Sequence, residues 1–293
     1  MKALSKITGF DTTLRDSEQA AGTRLGSRKK ITLARQLARL KVDIVEAGFP
    51  ASAPEDFDAV RKIAHEIAGP TICALSRAAY ADIESCGKAP AKAARPRIHT
   101  GIGVSDIHIM AKLRDERYGK TLGGKKAKLM TLAVDAVKCA PTAAATFSST
   151  PRMPPRPPLY LFEMLEAVID TGAMVDNIPD TTGYTVPEQY GELIRSIRDN
   201  VPNIPRATIS VHCHDDLGLA VANSLAGIRN GALQVEGTIN GIGESERQKA
   251  KLQDRNGRWS KHPVHNSIKL RFGPTSNLSM PGWTRWRRSP KPE

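Results

Sequence analysis

A TIM (β/α)8 barrel is the fold class predicted for this chain, and three observations predict it. Strand-like and helix-like segments alternate over the first 244 residues, a pattern that calls for parallel strands joined by right-handed helical crossovers. No Gly-x-Gly-x-x-Gly follows the first strand-like run, which counts against a dinucleotide-binding open sheet. Polar residues collect where the strand-like runs stop, at Arg15-Asp16, Glu46, His99, Asn177–Asp180, His212-Cys213-His214 and Asn240–Glu244. In such barrels the chemistry sits at those strand ends.

Seven strands are expected, near Ile7–Leu14, Val42–Phe49, Thr71–Leu75, Arg97–Val104, Met174–Ile178, Thr208–Val211 and Gln234–Ile239. The first helix is expected over Arg28–Leu40, where Leu33, Leu37 and Leu40 fall on one face at i, i+4 and i+7. Asp56–Ile67, Lys125–Val137, Leu159–Ile169, Pro187–Arg198 and Leu217–Asn230 behave similarly. Gly172 and Gly231 mark points where a helix stops before the next strand. Two stretches break the pattern. Residues 141–158 hold six prolines and no acid where a fifth strand is due, and the residues after Glu244 show no helical period where an eighth helix is due. The expectation is therefore a barrel with a disrupted fifth strand region and a missing or aberrant eighth helix. Its catalytic domain would span residues 1–244, with residues 141–158 as an aberrant proline-rich segment. A basic tail, disordered or out of frame, would follow over residues 245–293.

Composition narrows the function. The balance of 40% hydrophobic and 25% charged residues is that of a globular protein. No apolar run is long enough to span a bilayer, and the N-terminus shows no signal-peptide pattern. Cys73, Cys86, Cys139 and Cys213 form no C-x-x-C pair, so a reducing cytoplasm is the expected location. The net charge of +13 is unevenly placed: residues 245–293 carry 12 Lys/Arg and 3 Asp/Glu, and all three tryptophans. A nucleic-acid-binding role, with Trp283 and Trp286 as stacking groups, would rest on that tail alone and is disfavoured.

His212-Cys213-His214 carries the sharpest chemical signal. Residues i and i+2 of a strand share a face, so both imidazoles can reach one ion while Cys213 faces the helices. Two neutral imidazoles with a carboxylate suit a divalent first-row ion that keeps open positions. Asp215-Asp216 could support the histidines or cap the next helix. A chance pair at a strand end is the competing reading. Arg15-Asp16 offers a carboxylate beside a guanidinium that stays charged and can face a developing oxyanion; a surface ion pair is the plainer alternative.

Leu14-Arg15-Asp16-Ser17-Glu18-Gln19, followed by Lys30, resembles the first signature of the superfamily that contains 2-isopropylmalate synthase, homocitrate synthase and 3-hydroxy-3-methylglutaryl-CoA lyase. Val211–Ala220 resembles its second. Glu46–Pro50, Arg97–Thr100, Asn177–Thr181 and Asn240–Glu244 resemble the 2-isopropylmalate synthase branch. The resemblance implies that Asp16, His212 and His214 bind a divalent metal, Mn2+ or Mg2+ with Zn2+ as a further candidate. It implies that Arg15 stabilises the developing oxygen charges and that Glu46 and His99 line the catalytic site. Asn177, Pro179 and Thr181 would wall the 2-oxo acid. The implied reaction condenses acetyl-CoA with a 2-oxo acid, 2-oxoisovalerate first, in leucine biosynthesis. Homocitrate or citramalate synthesis, an aldol-type lyase, and an inactive remnant stay open beside it. The implied partners are small molecules, with homodimers among intact relatives.

The chain also departs from that family pattern. Ser17 stands where the family has glycine and could strain the turn or crowd the ligand. Gln248 stands, in a foreign context, where the family has a metal-contacting asparagine. The family's fifth strand is missing from the text, yet suitable codons for residues 145–155, read in a shifted frame, spell Asp-Val-Gln-Phe-His-Pro-Glu-Asp-Ala-Thr, which resembles it. Shifted codons for residues 244–247 likewise spell Glu-Arg-Ala. Two frame-shifted stretches and a truncation before any regulatory domain are the expectation, with weak or absent condensation activity as the consequence.

Overall fold

Short β-rich runs form strands and alanine- and leucine-striped runs form helices in the computed structural model, which describes residues 6–20, 22–140, 143–148 and 159–243. The strands are β1 (Thr8–Asp11), β2 (Ile44–Glu46), β3 (Thr71–Arg77), β4 (Pro96–Gly103), β5 (Ala143–Ser148), β6 (Val175–Asp180), β7 (Thr208–Cys213) and β8 (Gln234–Gly237). Between them run α1 (Ser27–Arg39), α2 (Pro54–Glu66), α3 (Tyr80–Lys88), α4 (Asp106–Lys112), α5 (Leu122–Lys138), α6 (Leu159–Thr171), α7 (Pro187–Asn200) and α8 (Ala220–Arg229). Each strand pairs in parallel with the next, and β8 returns to pair with β1 from Thr8↔Gln234 to Asp11↔Gly237, closing the barrel.

Strand alternation sorts the residues into two environments. Val45, Ile72, Ala74, Ile98, Ile178, Ile209 and Val211 belong to one continuous buried cluster with Ala34, Leu37, Val60, Ile63, Leu161, Leu165 and Ile194 of the helices. Phe10, Ile44 and Cys73, from the alternate positions of three strands, form a separate small cluster. Polar and charged residues at the same alternate positions, Glu46, His99, Asn177, Ser210, His212, Gln234 and Glu236, are also buried. The apolar core thus lies between strands and helices, and the remaining inward positions are available for chemistry.

The expected disruption of the fifth strand needs a correction. Ala143–Ser148 pairs with β4 from Ile98↔Ala143 to Gly103↔Ser148, and with β6 over Ala144–Thr146. All six prolines of the stretch lie outside this run, so its amides can enter the ladder. The remainder of the proline-rich segment, at 149–158, lies outside the described residues, as do the eighth-helix region and the basic tail. The short helices α3 and α4 carried too few residues for their period to stand out in the sequence.

Helix α8 sits on β7 through a glycine. A Cβ at Gly227 would lie 2.8 Å from Val211 Cγ1 and 3.3 Å from Tyr190 Cε1. Overpacking costs about 1–3 kcal/mol, against about 1 kcal/mol that alanine returns in helix propensity. Val211 is fully buried and cannot step aside, so the steric term wins. Gly227→Ala is expected to lower the urea midpoint; an unchanged or raised midpoint would mean that α8 does not pack this closely.

Candidate active site and metal centre

Alternation along β7 sets the first half of the site. Val211 is fully buried, and Cys213 hydrogen-bonds with Tyr190 and Ser224 on the helical side. His212 and His214 take the opposite face, with ring centroids 5.1 Å apart. The second half comes from the other end of the chain. Asp16 opens a short 3-10 turn, Asp16–Gln19, just past β1. One ligand atom from each of Asp16, His212 and His214 lies within 4.8 Å of the others, and His212 Nε2 is 3.7 Å from Asp16 Oδ2. Burial, reinforced by His212, pulls the His214 imidazole below its ordinary value. That shift favours the neutral form a metal ligand must take.

A buried chain of charges stands beside this group. Arg15 Nε donates to Glu46 Oε2 at 2.6 Å, and Glu46 Oε1 meets His99 Nδ1 at 2.7 Å. Arg15 Nη1 reaches Gln19 Oε1 at 3.1 Å and Asp16 Oδ1 at 3.4 Å. Burial alone would raise the Glu46 carboxyl, but the charges and hydrogen bonds of Arg15 and His99 outweigh it and leave Glu46 at about 2. Glu46 is thus an ionised partner that holds Arg15, not a proton acceptor in waiting. Lys30, of the first signature, is buried between Glu18, 2.6 Å away, and Asp56. It ties the turn after β1 to α1 and α2.

The sixth strand supplies a wall. Asn177 and Pro179 are buried on β6, and Asn177 Nδ2 donates to Glu236 Oε2 at 3.1 Å. Thr181 lies just past the strand, where its backbone hydrogen-bonds with His214. Asp16, His212 and His214 thus converge, Arg15, Glu46 and His99 form the adjoining chain, and Asn177, Pro179 and Thr181 lie on or just past β6, which pairs with β7.

Two details differ from the sequence reading, and a third decides between alternatives it left open. Ser17 is not in the left-handed region, where Lys41 and Asn240 are the non-glycine residues found among those described; its Oγ donates to Ile242 O at 2.8 Å. The serine stitches the first and last strand ends together instead of straining the turn. Asp215 accepts from Ala220 N at 3.0 Å, so it caps α8 and does not support the histidines. That support comes from Glu236, which sequence reasoning missed: its carboxylate meets His212 Nδ1 at 3.3 Å. The available signal was Gln234-Val235-Glu236, polar residues two apart on the strand that follows the histidines. Glu244 and Gln248 lie outside the described residues.

The depressed Glu46 carboxyl generates a pH prediction. Its folded value of about 2 lies below the ordinary 4.5, so its stabilisation is complete above about pH 4.5 and is lost as pH falls toward 2. Glu46→Gln is expected to flatten that part of the stability profile in urea melts at stepped pH. A variant profile parallel to the wild type would show that the pair does not exist.

Comparison with known proteins places these residues in a lineage. An HMGL-like family model matches residues 6–257. A 2-isopropylmalate synthase of Thermosynechococcus vestitus is 50% identical over 247 residues, covering 83% of this chain and 44% of that protein. One from Pyrococcus furiosus is 50% identical over 240 residues, covering 82% of this chain and 46% of that protein. The chain thus spans less than half the length of these curated relatives. A Bacillus subtilis HMG-CoA lyase structure superposes with a TM-score of 0.64 at 21% identity, covering 85% of this chain and 82% of that one; this likeness concerns the fold alone. Through the family match over residues 6–257, the chain belongs to the HMGL-like family.

Proposed function

We propose that this chain carries the metal-dependent condensing site of a 2-isopropylmalate synthase, joining acetyl-CoA to 2-oxoisovalerate in the leucine pathway of the cytoplasm. The observation that carries the reading is the convergence of Asp16, His212 and His214 beside the Arg15–Glu46–His99 chain. The donor set fits a divalent ion: one carboxylate and two imidazoles from two strand ends, with burial favouring the neutral form of His214. Mn2+ or Mg2+ is favoured, with Zn2+ as a further candidate.

Such an ion, when bound, supplies Lewis-acid polarisation of the oxo acid's carbonyl. The chain's own residues do the rest. Arg15 engages Glu46 and Asp16 through Nε and Nη1, while Nη2 makes no hydrogen bond among the described residues. That amino group is placed to stabilise the negative oxygen that develops as the acetyl carbon attacks. Glu46, braced by His99, keeps the guanidinium from swinging away. Asn177, Pro179 and Thr181 shape the pocket for the oxo acid's side chain. Discrimination among 2-oxo acids on such a wall is worth about 1–3 kcal/mol per methylene.

Two measurements test this reading. Titration calorimetry of the full chain with Mn2+ should show one site per chain. Asp16→Asn or His212→Ala should weaken it by more than the ~10–100-fold that changes behind a ligand usually cost. Undiminished binding in both variants would overturn the site. CoA release with 2-oxoisovalerate should be far below the ~10 s⁻¹ typical of enzymes, because residues 145–155 depart from the family text. Restoring the family-like reading at those positions should raise it, with 2-oxoisovalerate preferred to pyruvate and 2-oxoglutarate. Preference for 2-oxoglutarate would assign a homocitrate-type reaction instead.

A further inference from the structure

Glu236 is buried on β8, and four polar groups converge on its carboxylate. Ser210 Oγ lies 3.0 Å and Gln234 Nε2 3.3 Å from Oε1. Asn177 Nδ2 lies 3.1 Å and His212 Nδ1 3.3 Å from Oε2. An ionised carboxylate only accepts hydrogen bonds and has about four lone-pair sites. This cluster fills them, provided that every group facing it is a donor.

We propose that Glu236 is a positioning residue that fixes His212 as the Nδ1–H tautomer and so leaves its Nε2 lone pair directed at Asp16 and His214. The inference rests on the metal-site reading above and extends it to a residue on the neighbouring strand. The same oxygen also holds Asn177, so a single carboxylate sets both a metal-facing ring and the substrate wall.

The surrounding bonds make the assignment specific. Arg97 Nη1 donates to Gln234 Oε1 at 3.2 Å, which pins the Gln234 amide with its nitrogen toward Glu236. Gln234 Nε2 also donates to Ser210 Oγ at 2.9 Å, so the serine hydrogen is left to donate to Glu236 Oε1. Asn177 Oδ1, in contrast, is buried without a hydrogen-bond partner among the described residues, so that amide can turn over at little cost. These constraints dictate what Glu236→Gln does. Its one carbonyl oxygen must face the pinned Gln234 and Ser210, and its amino group must then face Asn177 and His212. Asn177 turns over to accept, and His212 accepts through Nδ1 by moving its proton to Nε2. The shape and most of the hydrogen bonds survive, yet the nitrogen that should face a metal is now blocked.

The test uses the full chain in wild-type form and as Glu236→Gln, Ser210→Ala and His212→Ala, the last to assign the ring signals. Nitrogen-15 NMR of the metal-free protein in alkaline solution, where the ring is neutral, reads the His212 tautomer, and electron paramagnetic resonance of free Mn2+ reads affinity. The expected result is Nδ1–H in the wild type and Nε2–H in Glu236→Gln, with Mn2+ affinity weakened ~10–100-fold. Ser210→Ala, which removes a donor from the other oxygen, should leave both readouts near wild type. If Glu236→Gln does not fold, Glu236→Asp, which draws the carboxylate back by one methylene, is read in its place and should lose the tautomer preference. An unchanged tautomer in the folded variant overturns the proposal, as does equal weakening by Ser210→Ala. A wild type that fails to take up Mn2+ but shows the tautomer switch would sink the metal reading and support the role of Glu236.

Discussion

The site depends on the closure of the barrel between its first and last strands. Asp16 and His212 are nearly two hundred positions apart in sequence and meet because β1 lies against β8, and β8 against β7. The seam continues past the strands: Thr12 N donates to Gly237 O at 2.9 Å, and Ile239 N to Thr13 Oγ1 at 2.8 Å. Ser17 adds its bond to Ile242 O. A Cβ on Gly243 would stand 3.3 Å from Asp16 Oδ2, so the chain after β8 runs directly over the Asp16 carboxylate. Loss of this seam would separate the carboxylate from both imidazoles at once.

Charge burial is the second constraint. Taking Arg15 and Glu46 out of water costs several kcal/mol per ion, and only close geometry with further hydrogen bonds recovers it. The barrel provides both: Glu46 spends one oxygen on Arg15 and the other on His99. Glu236 solves the same problem on β8, on the other side of β1, with neutral donors and an imidazole. The two carboxylates face different halves of the site, one behind the guanidinium and one behind a histidine. Each is acceptor-only, so each dictates which atoms its neighbours can still offer to a ligand.

Much of this was legible in the sequence because strand ends and alternation are local signals. His212-Cys213-His214 announced its own geometry, and Arg15-Asp16 and Glu46 fell at strand ends where barrels keep chemistry. The rest depended on contacts between distant segments. Glu236 reads as an ordinary strand residue until β8 is set beside β7. Asp215 looked as plausible behind the histidines as at the helix start, and only its bond to Ala220 decides. Ser17 looked like a strained substitute for glycine, whereas its backbone stays out of the left-handed region and its hydroxyl reaches across the seam. The fifth strand was obscured by prolines that flank Ala143–Ser148 without entering it.

Anomalous X-ray diffraction from crystals of the full chain soaked in Mn2+ tests the central claim most directly. The account predicts one strong peak within coordination distance, about 2.0–2.3 Å, of a carboxylate oxygen of Asp16 and an imidazole nitrogen each of His212 and His214. A peak bound by other residues, or no peak at saturating Mn2+, would contradict it.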